Sequence, residues 1–359
     1  MDAASSGSHI VRHFLLESSC TSVAVISRNP QSNRLPKVEY YAGGISNLAS
    51  LRGLISHICP SIIVHTASPS TVSASAKEFE AITIQGTRNL ITVALKISSV
   101  KAFIFTSSAT MAAGPKHIDL DESTKLADIS SSSRPYAKTK ATADKMVLAA
   151  NLPLDKDGSG LGLHTACICL PIVYIERDLV AIPGALAALE KGQTHFQLGD
   201  GSNLWDFASA DNAATAHVLL AKALLSQNDA DATPKVAGEA FNITDGQRHR
   251  FWDFPHVIWE AAGHKVKIDQ VWVLPTWMAL VVADVLEWLF WIFTIGTKRP
   301  SQLGRQQVEY SCLMHTYRID KAKNRLGYVP VPYFEEGIRK AVGWLLNEGG
   351  WGSRLKKYN

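Results

Sequence analysis

Two stretches decide the fold: residues 102–110, AFIFTSSAT, and residues 134–140, RPYAKTK. The first runs apolar and then ends in hydroxyls, as a strand buried on both faces does where it reaches the edge of a sheet. The second opens a helical run in which Tyr136 and Lys140, four residues apart, project from one face. Working outward, VAVI (Val23–Ile26), IIV (Ile62–Val64) and TACICL (Thr165–Leu170) read as further buried strands. Helix-length segments lie between them at Leu48–Ile58, Phe79–Ile97 and Tyr136–Ala150. Strands and helices in alternation predict an α/β chain with a parallel sheet. The serine run Ser130–Ser133 reads as a loop ahead of a helix.

Composition narrows the function classes. The 359 residues are 46% hydrophobic and 19% charged, which excludes disorder and allows one large domain or a domain with a substantial appendage. A net charge of +4 with no basic run interleaved with aromatics speaks against nucleic acid as a partner. The cysteines (Cys20, Cys59, Cys167, Cys169, Cys312) are odd in number and scattered, unlike a zinc site or a disulfide framework, and a reducing compartment suits them. The histidines show no metal-ligand spacing, and His65 reads as a packing residue at a strand end. Residues 1–9 are small and polar and carry no signal-peptide pattern.

The chemistry concentrates at Ser108, Tyr136 and Lys140. An ammonium close to a phenol favours the phenolate and lowers its pKa from about 10, so that it exchanges a proton with an alcohol near neutral pH. Ser108, at the end of its strand, offers a hydroxyl to the reacting oxygen. Y-x-x-x-K alone is a weak signal. Its position after a strand ending in T-S-S, within a βαβ chain, makes it a strong one.

The chain opens MDAASSGSHIVRH. Ile10, Val11, Phe14 and Leu15 form the apolar side of a helix entered through a small-residue turn, the usual close of a glycine-rich phosphate loop. Aligned that way, the loop glycines fall at Met1, Ala4 and Gly7, and only the last is glycine. No apolar run precedes the loop. The expected fold is therefore α/β, a Rossmann-type doubly wound parallel sheet lacking its first strand, with a smaller C-terminal substrate-binding region. That strand belongs in the middle of the sheet, and its neighbours would keep unpaired backbone groups, each costing about 1–3 kcal/mol if buried. The expectation is that the natural protein begins further upstream.

At this point a family resemblance emerges. HTASP (His65–Pro69), GTRNLI (Gly86–Ile91), TSSAT and YAKTK are similar to the extended short-chain dehydrogenases. GDGSNLWDFASADNAATAHVLLAKAL (Gly199–Leu224), GEAFNITDGQRHRFWDF (Gly238–Phe254) and DKAKNRLGYVP (Asp320–Pro330) narrow this to the 3β-hydroxysteroid dehydrogenase/isomerases and sterol-4α-carboxylate 3-dehydrogenases. The resemblance implies Ser108, Tyr136 and Lys140 as catalytic residues, with Ser108 and Tyr136 on the substrate. It implies a nicotinamide dinucleotide held by Gly7, Ser27, Arg28, Ala67, Lys140 and Pro171, and no metal. A Rossmann domain over residues 1–175 and a substrate-binding region over 176–359 follow. The implied reaction is oxidation of a sterol or triterpenoid 3β-hydroxyl with decarboxylation of a 4α-carboxylate. The alternatives are tailoring of another terpenoid or steroid-like alcohol or ketone, and a non-catalytic scaffold among membrane enzymes.

Departures from the pattern matter too. Leu170 replaces an arginine, Ile175 a glycine, Thr83 an asparagine, and Gly44 an aspartate expected near the adenine. At the end of the second strand Ser27 and Arg28 stand where an acidic residue would select NAD, and this tilts the choice toward NADP. Asp206 and Phe207 read equally as pocket lining or as structural support, and Asn242-Ile243-Thr244 is a glycosylation sequon discounted for its β-like context.

The most apolar segment, residues 271–296, is interrupted by Asp284 and Glu287. It suits a helix lying in a membrane interface, with Trp277, Trp288 and Trp291 at headgroup level and Lys298 and Arg299 beyond, although a buried helix of the substrate region reads nearly as well. The expected location is the cytosolic face of the endoplasmic reticulum or a lipid droplet, otherwise the cytoplasm. Homodimerisation, or association with other sterol enzymes, accords with the resemblance.

Overall fold

The computed structural model describes residues 4–31, 33–70, 74–128, 135–154, 162–227, 235–294 and 304–356. The serine run, Arg134, Lys298, Arg299 and Met1 lie outside these residues.

The first half alternates as the sequence predicts: α1 (Ala4–Leu16), β1 (Val23–Ser27), β2 (Val38–Ala42), α2 (Leu48–Ile58), β3 (Ile62–His65), α3 (Ala76–Phe79), α4 (Thr87–Ala94), β4 (Ala102–Ser108), β5 (His117–Leu120), α5 (Pro135–Ala149), β6 (His164–Leu170) and β7 (Ile172–Tyr174). A π-helical stretch, Glu80–Gly86, joins α3 to α4. The second half contributes α6 (Ala181–Glu190), β8 (Phe196–Leu198), β9 (Leu204–Ser209), α7 (Ala210–Ser226), β10 (Glu239–Asn242), β11 (Arg248–Arg250), α8 (Asp253–Ala261), β12 (Trp272–Leu274), α9 (Thr276–Thr294), α10 (Arg305–Cys312), β13 (His315–Tyr317), α11 (Asp320–Leu326), α12 (Phe334–Asn347) and α13 (Trp351–Leu355).

A four-stranded parallel sheet, ordered β10-β6-β4-β3, forms the centre. Side chains alternate across a strand, so Phe103 and Phe105 of β4 pack with Leu51, Leu90 and Ala141 of α2, α4 and α5. Ala102 and Ile104 face the other way, onto Ala213, Ala216 and Leu220 of α7. Both faces are covered, which is why β4 and β6 read as nearly continuous apolar runs. A third core around Trp205, Phe207, Phe254 and Phe334 joins α6, α8 and α12 to a separate sheet ordered β11-β9-β13-β5. Chain crosses residue 175 in both directions: β5 pairs with β13 in that sheet, while α7 and β10 return to the central one.

β1 and β2 pair in parallel as a sheet of their own, and among the described residues no ladder connects β1 to β3. A cavity of about 580 Å³ separates them, lined along the whole of both strands and by α1. Sequence reading placed S-G-S in a turn. Instead α1 already begins at Ala4, so Ala4 and Gly7, two positions aligned with loop glycines, are helical. Alanine favours this extension, and α1 is anchored independently of any loop because His9 and His13 both bond Asp211 of α7, at 3.1 and 3.2 Å.

Candidate active site

The carboxyl end of β4 carries Ser107 and Ser108, both buried. Ser108 is extended (φ −143°, ψ 132°), and its hydroxyl lies 2.8 Å from the Thr110 hydroxyl in the turn that follows. α5 begins at Pro135, whose fixed φ suits the first helical position, and this sets Tyr136 facing the strand end. Burial pushes the Tyr136 phenol up, and a hydrogen bond from Ser108 draws it back down. Phe79 packs edge-on against the Tyr136 ring at 5.9 Å. The structure thus brings Ser108 and Tyr136 together.

Lys140, one turn on, is buried, yet its ammonium does not act on Tyr136 as the sequence suggests. Nζ donates to the Thr106 carbonyl at 2.8 Å and sits 4.5 Å from the Phe105 ring centre. Burial lowers its pKa to about 8, while Asp144 opposes that shift. Asp144, four residues further along α5, escaped sequence reading. It is 1% exposed, its Oδ1 has no hydrogen-bond partner among the described residues, and burial raises its pKa. The signal was present in YAKTKATAD, where Tyr136, Lys140 and Asp144 repeat every fourth residue on one helix face.

A cleft crosses the carboxyl ends of β1 and β3, lined by Gly7, Ser27, Arg28, Gly44 and Ala67. Ser27 Oγ accepts from the Asn29 amide at 3.2 Å, and a Cβ on Gly44 would lie 4.0 Å from Arg28 Cγ. Ser68 Oγ in the same cleft is buried without a partner among the described residues. Pro171 is buried between β6 and β7. The residues present suit the nucleoside half of a dinucleotide: a hydroxyl and a guanidinium at the end of β1, and beyond the end of β3 the small residue Ala67 next to the orphan hydroxyl of Ser68. The fit is incomplete at the pyrophosphate, where α1 is already helical at Ala4.

Other expectations resolve simply. His65 is a packing residue, 3.0 Å from the Thr87 hydroxyl, with burial pressing its pKa down to about 3. Phe207 is core, stacked on Phe254 at 5.2 Å. Asp206 lines a separate polar cavity of about 620 Å³ with Asp119 and Arg248, and burial raises it to about 6. Thr83, Leu170 and Ile175 are all buried, and the Ser108 hydroxyl reaches the Leu170 carbonyl at 3.4 Å. Asn242 of the sequon is 5% exposed, with its side-chain amide on the Leu120 carbonyl. No cluster able to hold a metal exists among the described residues.

A parallel sheet covered on both faces, with a cleft across the carboxyl ends of β1 and β3, is a Rossmann-type α/β arrangement. The profile of the 3-beta hydroxysteroid dehydrogenase/isomerase family matches residues 6–276, and the chain belongs to that family. It is 34% identical over 309 residues to a sterol-4-alpha-carboxylate 3-dehydrogenase (decarboxylating) of Schizosaccharomyces pombe, covering 86% of this chain and 84% of that one. Among solved structures, a UDP-glucose 4-epimerase from Thermotoga maritima matches with a TM-score of 0.65 at 19% identity, covering 95% of each chain. A dTDP-glucose 4,6-dehydratase of Bacillus anthracis, solved with NAD, matches with a TM-score of 0.64 at 18% identity over 98% of this chain and 97% of that one. These two share the fold. The chain is accordingly an NAD(P)-dependent oxidoreductase.

Proposed function

We propose that this chain oxidises the 3β-hydroxyl of a sterol or triterpenoid bearing a carboxylate on C4, with loss of that carboxylate as carbon dioxide. The observation that carries the reading is the Ser108–Tyr136 pair at the mouth of β4, in a chain whose relatives carry this activity in their names. A nicotinamide bound in the cleft would supply the acceptor for the hydride leaving C3. Tyr136 takes the hydroxyl proton, and Ser108 orients the alcohol oxygen. Lys140 beneath them, charged at neutral pH, favours the phenolate once its ammonium turns from the Thr106 carbonyl. The 3-ketone then draws the electron pair of the breaking carbon–carboxylate bond, carbon dioxide leaves, and an enol returns to the ketone by protonation. Thr110 supports Ser108 as its hydroxyl partner. Residues 1–175 supply the dinucleotide side and residues 176–359 most of the sterol side. Ser27 and Arg28 favour the 2′-phosphate of NADP.

Helix α9 gives the sterol a route from a membrane surface. It is long and apolar enough to cross a bilayer by length and composition, but its two carboxylates favour lying in the interface. Trp277, Trp288 and Trp291 are each more than 60% exposed, while Ala279 and Ala283 pack inward. Asp284 is neutralised by Arg305 at 2.7 Å, and Glu287 accepts the Arg305 amide. Replacing the three tryptophans by alanine is expected to cut co-sedimentation with phosphatidylcholine vesicles by about tenfold or more; unchanged sedimentation would leave α9 a solvent-facing helix.

The test of the reaction is incubation of the full chain with a 3β-hydroxy-4α-carboxysterol and NADP or NAD. Reduced nucleotide, carbon dioxide and 3-ketone are expected in equal amounts. Reduced nucleotide without carbon dioxide would favour the tailoring reading. No turnover by a chain that binds the dinucleotide would favour the scaffold, to which the open gap beside β1 lends support.

A further inference from the structure

We infer that Asp144 is a positioning residue for the reaction, holding the charge of Lys140 inside the core so that an ammonium, and not an amine, stands one turn from Tyr136. The inference deepens the proposed function and rests on its assignment of Tyr136 and Lys140. Lys140 is the one lysine or arginine that is buried among the described residues, at 3% exposed. Its Nζ meets a neutral acceptor, the Thr106 carbonyl, and the ring of Phe105. A charge in such a place favours giving up its proton, because burial penalises the ionised form.

Asp144 supplies the balance. It follows Lys140 by four residues on α5, so the two side chains share a face one turn apart, and both are buried. Its carboxyl lies against the Ser107 hydroxyl of β4 and the Cys167 thiol of β6, while Oδ1 has no hydrogen-bond partner among the described residues. For packing alone this is a poor choice, since an apolar side chain would fill the site without an unmet oxygen. The two groups form no direct ion pair, yet a dry interior screens weakly, and Asp144 is the largest influence keeping the proton on Lys140.

The other titratable groups around the pair do not replace it. They are His65 of β3, Cys167 and Cys169 of β6, and Tyr136 and Lys145 of α5. Burial presses the His65 ring down to about 3 and holds both thiols well up, so none of these three is charged near neutrality. Lys145 is exposed to solvent, and Glu122, beyond Cys169, is held on the Asn242 amide. Asp144 is the carboxylate set against the buried ammonium.

The experiment compares the unaltered full-length chain with Asp144→Asn and Asp144→Glu, using a 3β-hydroxy-4α-carboxysterol and NADP. In Asp144→Asn the alkaline limb of kcat, where Lys140 loses its proton, is expected to move to lower pH by about one unit or more. KM for the sterol should stay within about twofold, and Asp144→Glu should return the limb to its place. A loss of kcat that is equal at every pH, with the limb unmoved, would show Asp144 to be structural and overturn the inference. A second readout needs no turnover: the ultraviolet absorbance of the Tyr136 phenolate around pH 8, taken as the difference from Tyr136→Phe in each background. It is expected to fall by about half or more in Asp144→Asn; an unchanged or larger signal would overturn the inference. Absence of sterol turnover by the unaltered chain would count against the reaction, and this absorbance would then decide the role of Asp144 alone. Should Asp144→Asn fail to fold, carbon-13 resonances of aspartate carboxyls in the unaltered chain, with Asp144 assigned by its loss in Asp144→Glu, decide the matter. An ionised Asp144 at neutral pH is expected, and a protonated one would overturn the inference.

Discussion

β4 and β1 are both short parallel strands ending in a serine, and they differ in what surrounds them. β4 is paired on both edges, to β3 and β6, with helices on both faces, and six of its seven residues are buried. β1 is paired on one edge, and none of its five residues is fully buried. Ser108 at the end of β4 is held by a rigid core and meets Tyr136. Ser27 at the end of β1 rests on a two-stranded ribbon beside a cavity, and two-stranded sheets are marginal alone. If the proposed roles of Tyr136 and Ser27 hold, proton chemistry and dinucleotide recognition would have separate foundations: the first on the paired half of the sheet, the second on the open half.

The sharpest way to break this comparison is Tyr136→Phe. If the paired half owns the chemistry alone, turnover falls by about a thousandfold while the dinucleotide dissociation constant, measured by tryptophan quenching, stays within about twofold. A parallel loss of binding would show the halves to be coupled.

His65 closes β3 at the border between the halves. Its pKa is depressed in the fold, so the unfolded chain binds more protons in acid. The stability it lends as a neutral ring is present above about 6.5 and lost as pH falls toward about 3. His65→Gln is expected to remove that dependence. The urea-unfolding difference between parent and variant should narrow by about 2 kcal/mol from pH 6.5 to pH 5, at about 1.4 kcal/mol per unit. A constant difference would place the protonated ring in contact with water.

Ser27→Asp probes the open half directly and carries the smallest effect. Preference should move toward NAD by about tenfold, or about 1.4 kcal/mol, with turnover at saturation unchanged. Unchanged preference would mean that this strand end does not hold the ribose.

β1, β3, β4 and β6 were all legible as short apolar runs, although β1 carries no fully buried residue and pairs outside the central sheet. β2, with Glu39 between Val38 and Tyr40, lacks that signature and was not foreseen. Pairing of His117 with His315 leaves no local trace, since it joins residues 198 apart in the chain. Lys140 was found by spacing, but its bond to the Thr106 carbonyl depends on a side-chain conformation that spacing does not encode. Asp144 went unseen because a carboxylate on a helix ordinarily reads as solvated surface.

The most direct test of the account uses substrate carrying deuterium at C3, on the carbon bearing the hydroxyl, with the unaltered chain and saturating NADP or NAD. The account predicts one deuterium on the nicotinamide for each molecule of 3-ketone formed, with release of carbon dioxide after the transfer. Deuterium retained in the substrate, by a chain shown to bind the dinucleotide, would contradict it.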